Sequence, residues 1–201
     1  MLTIGITGPT GSGKTALLDR IAVHGGLVID CDALYYALLQ TDVDLRAALV
    51  AAFGNVFLPG GALDRQTLGA RVFSDAAALA RLNNIVFFHV GRAVKARLDA
   101  ARAEGRVLAG VDAINLLESG LAEQCDVTVA VTAPEQVRLA RIVARDRLTQ
   151  DYATARIRAQ KSTAYYTQRC RYAIENNCAS RGEFSRRADE LLEIIMKENA
   201  S

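Results

Sequence analysis

The segment GITGPTGSGKTALLDRI, residues 5–21, decides the fold. It begins within a short apolar run, residues 2–6, and continues into an apolar pattern with helical spacing. The order of strand, glycine-rich loop and helix, with the spacing G-x4-G-K-[ST], is typical of a phosphate-binding loop. Its glycines allow backbone N–H groups to approach an anion closely. A glycine-rich turn without a ligand is the alternative, and the flanking strand and helix favour the phosphate loop.

The loop supplies the groups that a nucleoside triphosphate needs. A helix that starts near Gly13 directs its first N–H groups and the positive end of its dipole at the phosphates. Lys14 places a mobile positive charge between the β- and γ-phosphates, and the Thr15 hydroxyl is placed to ligate Mg²⁺. The sequence therefore predicts a protein that binds a nucleoside triphosphate with magnesium.

The composition indicates one domain that handles anions. The chain has 201 residues, of which 51% are hydrophobic, and a formal net charge of +2. Eight arginines fall between Arg138 and Arg171, opposed only by Asp146 and Asp151. Arginine makes bidentate contacts to phosphate, although a solvated helix face is the alternative for most of the eight. No nucleic-acid-binding signature accompanies them, so we expect no nucleic-acid partner.

The cysteines and the apolar segments indicate a cytoplasmic protein. The four cysteines lack zinc-ligand spacing, which favours reduced thiols. No basic region precedes Lys14, so no secretory signal is expected. The longest uncharged stretch, residues 47–63, is interrupted by Pro59 and glycines, which argues against a membrane span. We expect a soluble monomer or weak homo-oligomer.

Alternating strand and helix patterns predict an α/β fold with a five-stranded parallel sheet. The strand-like runs are residues 2–6, 27–29, 107–109, 127–131 and 172–174. The helical patterns are residues 45–53, 66–73, 76–103 and 183–197, with a turn at 58–61. We interpret residues 33–105, too long for an ordinary crossover, as an inserted helical acceptor-binding subdomain. A three-layer core of residues 1–32, 106–140 and 170–201 remains, with a helical lid over residues 141–169.

Two acidic residues end the second predicted strand, in VIDCDALYY. The carboxyl ends of parallel strands are where open α/β sheets place their sites. Asp32 is our candidate for the base that orients or deprotonates an attacking hydroxyl, as kinase aspartates do. The alternative for either Asp30 or Asp32 is that its carboxylate only caps the next helix.

With these residues the chain resembles the dephospho-CoA kinase family over almost its whole length. The matching segments are GITGPTGSGKT, GGLVIDCDAL, FGNVFLPGGALDRQTLGARVFSD, RLNNIVFFHV, LLESGL, CDVTVAV, RIVARD, RIRAQ and IENN. Only the first is specific alone, but their order and spacing together are characteristic. The resemblance implies a cytoplasmic kinase that transfers the γ-phosphate of ATP, with Mg²⁺, to the ribose 3′-hydroxyl of dephospho-CoA. That reaction is the last step of CoA synthesis.

The resemblance also implies residue roles. The catalytic residues would be Lys14, Asp32 and Arg145, and the acceptor would contact Asp32, Arg65 and His89. The ATP-binding residues would be Gly8, Gly11, Ser12, Gly13, Lys14, Thr15, Ala16, Arg141, Asn176 and Asn177. Arg141, Arg145, Arg156 and Gln160 would belong to the lid. Thr15 would ligate Mg²⁺ directly. Asp112 follows the third apolar run, where a Walker-B carboxylate would hold the metal through water, although a strand-end cap is the alternative for it. A structural hydrogen bond is the alternative for His89.

The chain departs from the family pattern at several positions, and it leaves other functions to consider. The departures are Val90 after His89, Ile114 and Asn115 before Leu116, Cys170 and Arg171 before the last strand, and Cys178 after Asn177.

Another small P-loop kinase is the first alternative function. A GTP-driven switch would need N-K-x-D and D-x-x-G, and neither motif occurs. A degenerate ATP-binding member is the third alternative, and the intact Lys14 and Asp32 argue against it.

Overall fold

The computed structural model describes residues 1–199, and these divide into two compact units. The first consists of Met1–Ile29 and the chain from Leu98 onward, and the second is Asp30–Arg97. The second unit overlaps residues 33–105, the range of the expected insert, and begins and ends earlier than that range. The predicted lid is not separated from the first unit in this division.

Five strands form one sheet in the order β2-β3-β1-β4-β5. The strands are β1 (Leu2–Thr7), β2 (Leu27–Asp30), β3 (Leu108–Asp112), β4 (Val127–Thr132) and β5 (Tyr172–Glu175). β1 pairs in parallel with β3 and β4, and β4 pairs in parallel with β5. β1 is therefore the central strand, and its carboxyl end leads directly into the glycine-rich loop.

The helices occupy the intervals between these strands. They are α1 (Lys14–Val23), α2 (Cys31–Thr41), α3 (Val43–Phe53), α4 (Arg65–Val72), α5 (Ala76–Ala103), α6 (Glu135–Asp146), α7 (Gln150–Arg158), α8 (Thr163–Thr167) and α9 (Arg181–Glu198). No helix within residues 1–199 is both long enough and apolar enough to cross a membrane.

The core of the first unit lies between the sheet and helices α1 and α9. β1 and β4 are buried along almost their full length, as strands covered on both faces should be. Fully buried side chains of the sheet, of α1 and of α9 share this cluster: Ile4, Ile6, Leu17, Ile21, Val129, Val131, Ala188, Leu192 and Ile195. The tail helix thus packs with the apolar face that its sequence pattern predicts.

The third strand differs from its prediction. We expected residues 107–109, but the strand is Leu108–Asp112, and Val107 is exposed. Gly110 concealed the strand because glycine is unfavourable in strand interiors. A Cβ on Gly110 would lie 2.6 Å from the Ile21 side chain, so glycine lets α1 approach the sheet closely.

The second unit has an apolar core of its own. Its buried side chains come from α2, α3, α4 and the segment between α3 and α4, and partly buried residues of α5 pack against them. The buried members are Leu39, Leu45, Leu49, Phe53, Val56, Leu68 and Val72. The predicted turn is present, since the Gly61 amide donates to the Leu58 carbonyl at 2.8 Å. Each of α2, α3 and α4 begins with an aspartate cap, at Asp30, Asp42 and Asp64.

Two departures from the family pattern lie at the ends of β5 and contact α9. The Arg171 guanidinium forms an ion pair with Glu198 at 3.4 Å. The sulfur of Cys178 accepts a hydrogen bond from Arg187 at 3.5 Å. A third departure, Val90, is buried in α5. These three residues therefore have structural contacts within the described chain.

Candidate functional site

The glycine-rich loop connects β1 to α1 and has a backbone that only glycine fits. Gly13 precedes α1 with a φ of 101°, and a Cβ there would lie 2.2 Å from the side-chain nitrogen Nδ2 of Asn176. Gly8 has a φ of 138°, and a Cβ there would lie 2.0 Å from the Val131 carbonyl oxygen. The loop is thus pressed against β4 and the end of β5, and a side chain at either glycine would displace it.

Every carbonyl of the loop from Gly8 to Gly13 accepts a hydrogen bond. Two of these bonds are local: Ser12 N to Pro9 O at 3.2 Å and Ala16 N to Gly13 O at 3.0 Å. The side-chain donors are Lys14 to Gly8 at 3.0 Å, Arg138 to Thr10 at 2.9 Å, Arg141 to Gly11 at 3.3 Å, and Asn176 to Ser12 at 2.9 Å. The rest of the protein therefore supports the loop through its carbonyl groups.

The amide groups of the loop are used differently. Within residues 1–199, the amides of Gly11, Gly13 and Thr15 donate to no protein acceptor. These donors lie at the start of α1, where the helix dipole also favours negative charge. Free amides in a loop whose carbonyls are all bonded form an anion-binding site, so the loop fits a phosphate chain.

Lys14 and Thr15 follow the loop at the start of α1. The ammonium of Lys14 donates to the Gly8 carbonyl, so the side chain spans the loop from its last residue to its first. Thr15 is exposed in the first turn of α1. Within the described residues, no group of three or more His, Cys, Asp or Glu is placed to hold a metal. Mg²⁺ fits a site of this kind, because it retains waters and binds chiefly through substrate phosphates.

Two predicted ATP-binding residues, Arg141 and Asn176, lie on the outer side of the loop. Arg141 also bonds to the Ser12 carbonyl at 3.3 Å and to the Asn176 side-chain oxygen at 3.1 Å. Asn176 is buried directly after β5, whereas Asn177 is exposed. The polar groups of Arg141 and Asn176 thus hold the loop in shape, while Asn177 is the more accessible of the two asparagines.

Arg145 and Arg156 share one carboxylate at the end of α6. Arg145 contacts both oxygens of Asp146, at 2.6 and 3.0 Å, and Arg156 donates to the same group at 2.8 Å. Hydrogen bonds from Arg145, followed by those from Arg156, hold the pKa of Asp146 below its ordinary value. The Arg145 side chain is 60% exposed, so Asp146 orients it without burying it.

The two acidic residues after β2 have different positions. Asp30 caps α2, accepting from the amides of Asp32 at 2.9 Å and Ala33 at 3.0 Å. Asp32 lies in the first turn of α2 and is exposed. The capping alternative therefore describes Asp30, whose carboxylate accepts the bonds at the start of this helix.

Asp112 lies at the carboxyl end of β3, the same end of the sheet from which the loop leaves β1. It is paired in register with Ile6, two residues before Gly8. It is half-buried there. The position is compatible with a carboxylate that contacts a metal-bound water, and the alternative of a strand-end cap stays open.

Besides Asp32, the predicted acceptor residues are Arg65 and His89, which have different environments in the second unit. Arg65 is exposed at the start of α4, and its guanidinium lies 4.8 Å from the centre of the Tyr36 ring. His89 is buried in α5, and its Nδ1 lies 3.0 Å from an oxygen of Asp42. Asp42 also caps α3 and accepts from Arg92 at 3.1 Å. These bonds favour the structural alternative for His89.

The Asp42 cluster leads to a prediction about pH. The Leu45 amide, together with His89 and Arg92, lowers the pKa of Asp42 to about 2. Because the folded pKa lies below the unfolded one, this stabilisation is complete above about pH 4 and disappears as the pH falls toward 2. We expect Asp42→Asn to lower the melting temperature at pH 7 by roughly 2–5 °C, with the difference shrinking below pH 4.

Thermal melts of both proteins from pH 7 to pH 2.5 would measure this. Asp44→Asn is the matched control, since Asp44 lies on the same helix with its side chain 78% exposed. A difference for Asp42→Asn that is constant across the range would contradict the assignment.

Two residues of the loop's support were not recognised from the sequence. Arg138 was only one of eight arginines, and Gln160 was assigned only to the lid. Both contact Thr10, which is distant from them in sequence. The available signal was the spacing of Arg138, Arg141 and Ile142 at i, i+3 and i+4, which puts them on one face of α6.

A parallel α/β sheet with a phosphate loop after its central strand defines the class of P-loop kinases. A family model described as dephospho-CoA kinase matches residues 2–181. The chain is 40% identical over 163 residues to the dephospho-CoA kinase of Thermobifida fusca, covering 81% of this chain and 80% of that protein. For the dephospho-CoA kinase of Salinibacter ruber the identity is 37% over 178 residues, covering 88% and 89%. The chain belongs to the dephospho-CoA kinase family.

A solved structure agrees with this at the level of the fold. The dephospho-CoA kinase from Campylobacter jejuni superposes with a TM-score of 0.69 over 98% of each chain, at 22% sequence identity. The expected α/β fold is therefore confirmed.

Proposed function

We propose that this kinase transfers the γ-phosphoryl group of ATP, bound with Mg²⁺, to the ribose 3′-hydroxyl of dephospho-CoA in the cytoplasm. The observation that carries the proposal is the family match over residues 2–181, together with a loop whose amides are open to an anion. The product is CoA, and the reaction completes its synthesis.

The donor half of the reaction uses the phosphate loop. The amides of Gly11, Gly13 and Thr15 bind the phosphate oxygens, and Lys14 exchanges its bond to the Gly8 carbonyl for the β- and γ-phosphates. The Thr15 hydroxyl would hold Mg²⁺ directly and the Asp112 carboxylate would hold it through water, and the ion would supply charge neutralisation for the transferring group. Asn177, directly after the loop-supporting Asn176, contacts the adenine.

The acceptor half uses residues of the second unit. Asp32 orients the ribose hydroxyl and takes its proton as the new O–P bond forms. The exposed guanidinium of Arg65 binds the acceptor's phosphate or sugar, while His89 holds the subdomain in shape through Asp42. Arg145, with its partner Arg156, stabilises negative charge on the group in transfer.

An ADP-release assay with several acceptors in parallel tests the proposal. Dephospho-CoA, adenosine, AMP, shikimate and gluconate are offered at equal concentration with Mg-ATP, and the product is identified by mass spectrometry. We expect rapid ADP release only with dephospho-CoA, with one phosphate added per acceptor. Faster turnover of any other acceptor would make the chain a different small P-loop kinase. Slow ATP hydrolysis that no acceptor accelerates would make it a nucleotide-binding protein without transferase activity.

A further inference from the structure

Arg138 is a buried cation for which residues 1–199 provide no ion-pair partner. It lies on α6 and is 5% exposed. Within residues 1–199, no carboxylate lies within 4 Å of its guanidinium, and Glu135 acts on it only at longer range. Burial lowers the pKa of Arg138, but arginine stays protonated in proteins. An unpaired buried charge destabilises a fold, so its retention at this position calls for a physical reason.

The side chain of Arg138 contacts Thr10 of the phosphate loop directly and also through Gln160. Its Nε donates to the Thr10 carbonyl at 2.9 Å, and its Nη2 donates to the Gln160 side-chain oxygen at 2.8 Å. Gln160 in turn accepts from the Thr10 amide at 3.1 Å and donates to the Thr10 hydroxyl at 2.6 Å. Every polar group of Thr10 is therefore fixed by these two side chains, and both of their partners are neutral.

The position of Thr10 connects this cluster to the anion site. Thr10 immediately precedes Gly11, whose amide is one of those open to an anion. A Cβ on Gly11 would lie 2.9 Å from the backbone carbonyl oxygen of Arg138, so α6 packs directly against this part of the loop. Because Arg138 is only 5% exposed, solvent screens the attraction between its charge and an anion bound by the loop only weakly. Arg145 and Arg156 differ from Arg138, since both are paired with Asp146.

We propose that Arg138 is a positioning residue of the phosphate loop, which fixes Thr10 together with Gln160 and whose buried charge is balanced by the bound phosphate chain. The proposal rests on the proposed function of the loop. It implies that the buried charge of Arg138 lowers the stability of the ligand-free protein but raises its affinity for phosphate. If Arg138 had a purely structural role, it would instead raise the stability of the ligand-free protein and would not change the affinity for phosphate.

Gln160→Glu is the sharpest test, because it supplies the missing counter-ion within the same geometry. The new carboxylate can accept from Arg138, from the Thr10 amide and from the Thr10 hydroxyl. We expect a higher melting temperature without ligand and an affinity for ATP and for inorganic tripolyphosphate that is weaker on the order of tenfold. Gln168→Glu, an exposed position after α8, is the control for the same change in net charge.

Arg138→Gln and Arg138→Lys separate charge from geometry. Arg138→Gln should also weaken binding about tenfold without lowering the ligand-free melting temperature, and the loss should persist at high salt. Arg138→Lys keeps the charge but not the fixed bonds, so it should bind ATP better than Arg138→Gln while losing turnover. Arg102→Gln, which removes an exposed arginine on α5, is the control.

Calorimetric titration and thermal melts of these proteins, each without acceptor, give the answer. Wild-type affinity in Gln160→Glu overturns the proposal, as does a lower ligand-free melting temperature for Arg138→Gln at unchanged affinity. A wild-type protein that binds neither ATP nor tripolyphosphate would instead contradict the proposed function. The two failures are therefore distinguishable.

Discussion

Lys14→Ala is expected to reduce turnover on the order of 10²-fold or more, because the β- and γ-phosphates lose their mobile cation in the transition state. The fold should survive the change, since the ammonium contacts the Gly8 carbonyl and takes no part in the apolar core. Steady-state ADP release with dephospho-CoA, combined with a thermal melt, measures both effects.

Lys197→Ala is the matched control, since it removes a lysine from the last turn of α9, outside the proposed site. Its turnover should equal that of the wild type. Turnover near the wild-type value in Lys14→Ala would disprove the assignment of the phosphate loop. A large fall in melting temperature would show that Lys14 acts mainly by holding Gly8.

Asp32→Asn is expected to slow phosphoryl transfer by ~10²–10⁴-fold, the usual contribution of a general base. Asparagine keeps the shape of the side chain but cannot take the proton of the acceptor hydroxyl. ATP affinity should stay near the wild-type value, because the carboxylate repels the phosphates more than it holds them. The melting temperature should change little, because Asp30, rather than Asp32, accepts the capping bonds of α2.

Asp30→Ala provides the comparison on the same helix. Loss of this cap should cost about 1 kcal/mol of stability and leave transfer intact. Melting temperature, ATP affinity and single-turnover transfer are measured on both variants. If Asp32→Asn transfers phosphate at the wild-type rate while Asp30→Ala does not, Asp30 is the base and our assignment is wrong.

Local sequence determined what could be predicted here. The phosphate loop and the strand before it are contiguous, so their spacing alone identified them and placed Lys14 and Thr15. The cap of α2 remained ambiguous because Asp30 and Asp32 both suit a helix start, and only the backbone at residue 30 distinguishes them. The third strand was misplaced because Gly110 serves the packing of α1, which a strand pattern does not reveal.

Contacts between residues far apart in the chain could not be predicted from the sequence. Thr10 and Gln160 are 150 residues apart, and Arg138 is separated from Thr10 by 128. Nothing in a run of arginines distinguishes the buried member from the exposed ones. His89 shows the same limit, because its partner Asp42 lies 47 residues earlier. Such pairs depend on how helices pack, and a single sequence carries no direct record of that.

The central position of β1 has a consequence for how the chain acquires its shape during synthesis. Leu2 pairs with Leu108, and Ile4 pairs with Val127, so β1 cannot pair with both of its neighbours until residue 127 has been made. Contacts between distant residues form late because closing long loops costs entropy. The core of the second unit uses residues 39–72 and can assemble much earlier. One of the bonds that support the loop comes from Asn176, so a nascent chain should become able to bind a nucleotide only after residue 176 has been made.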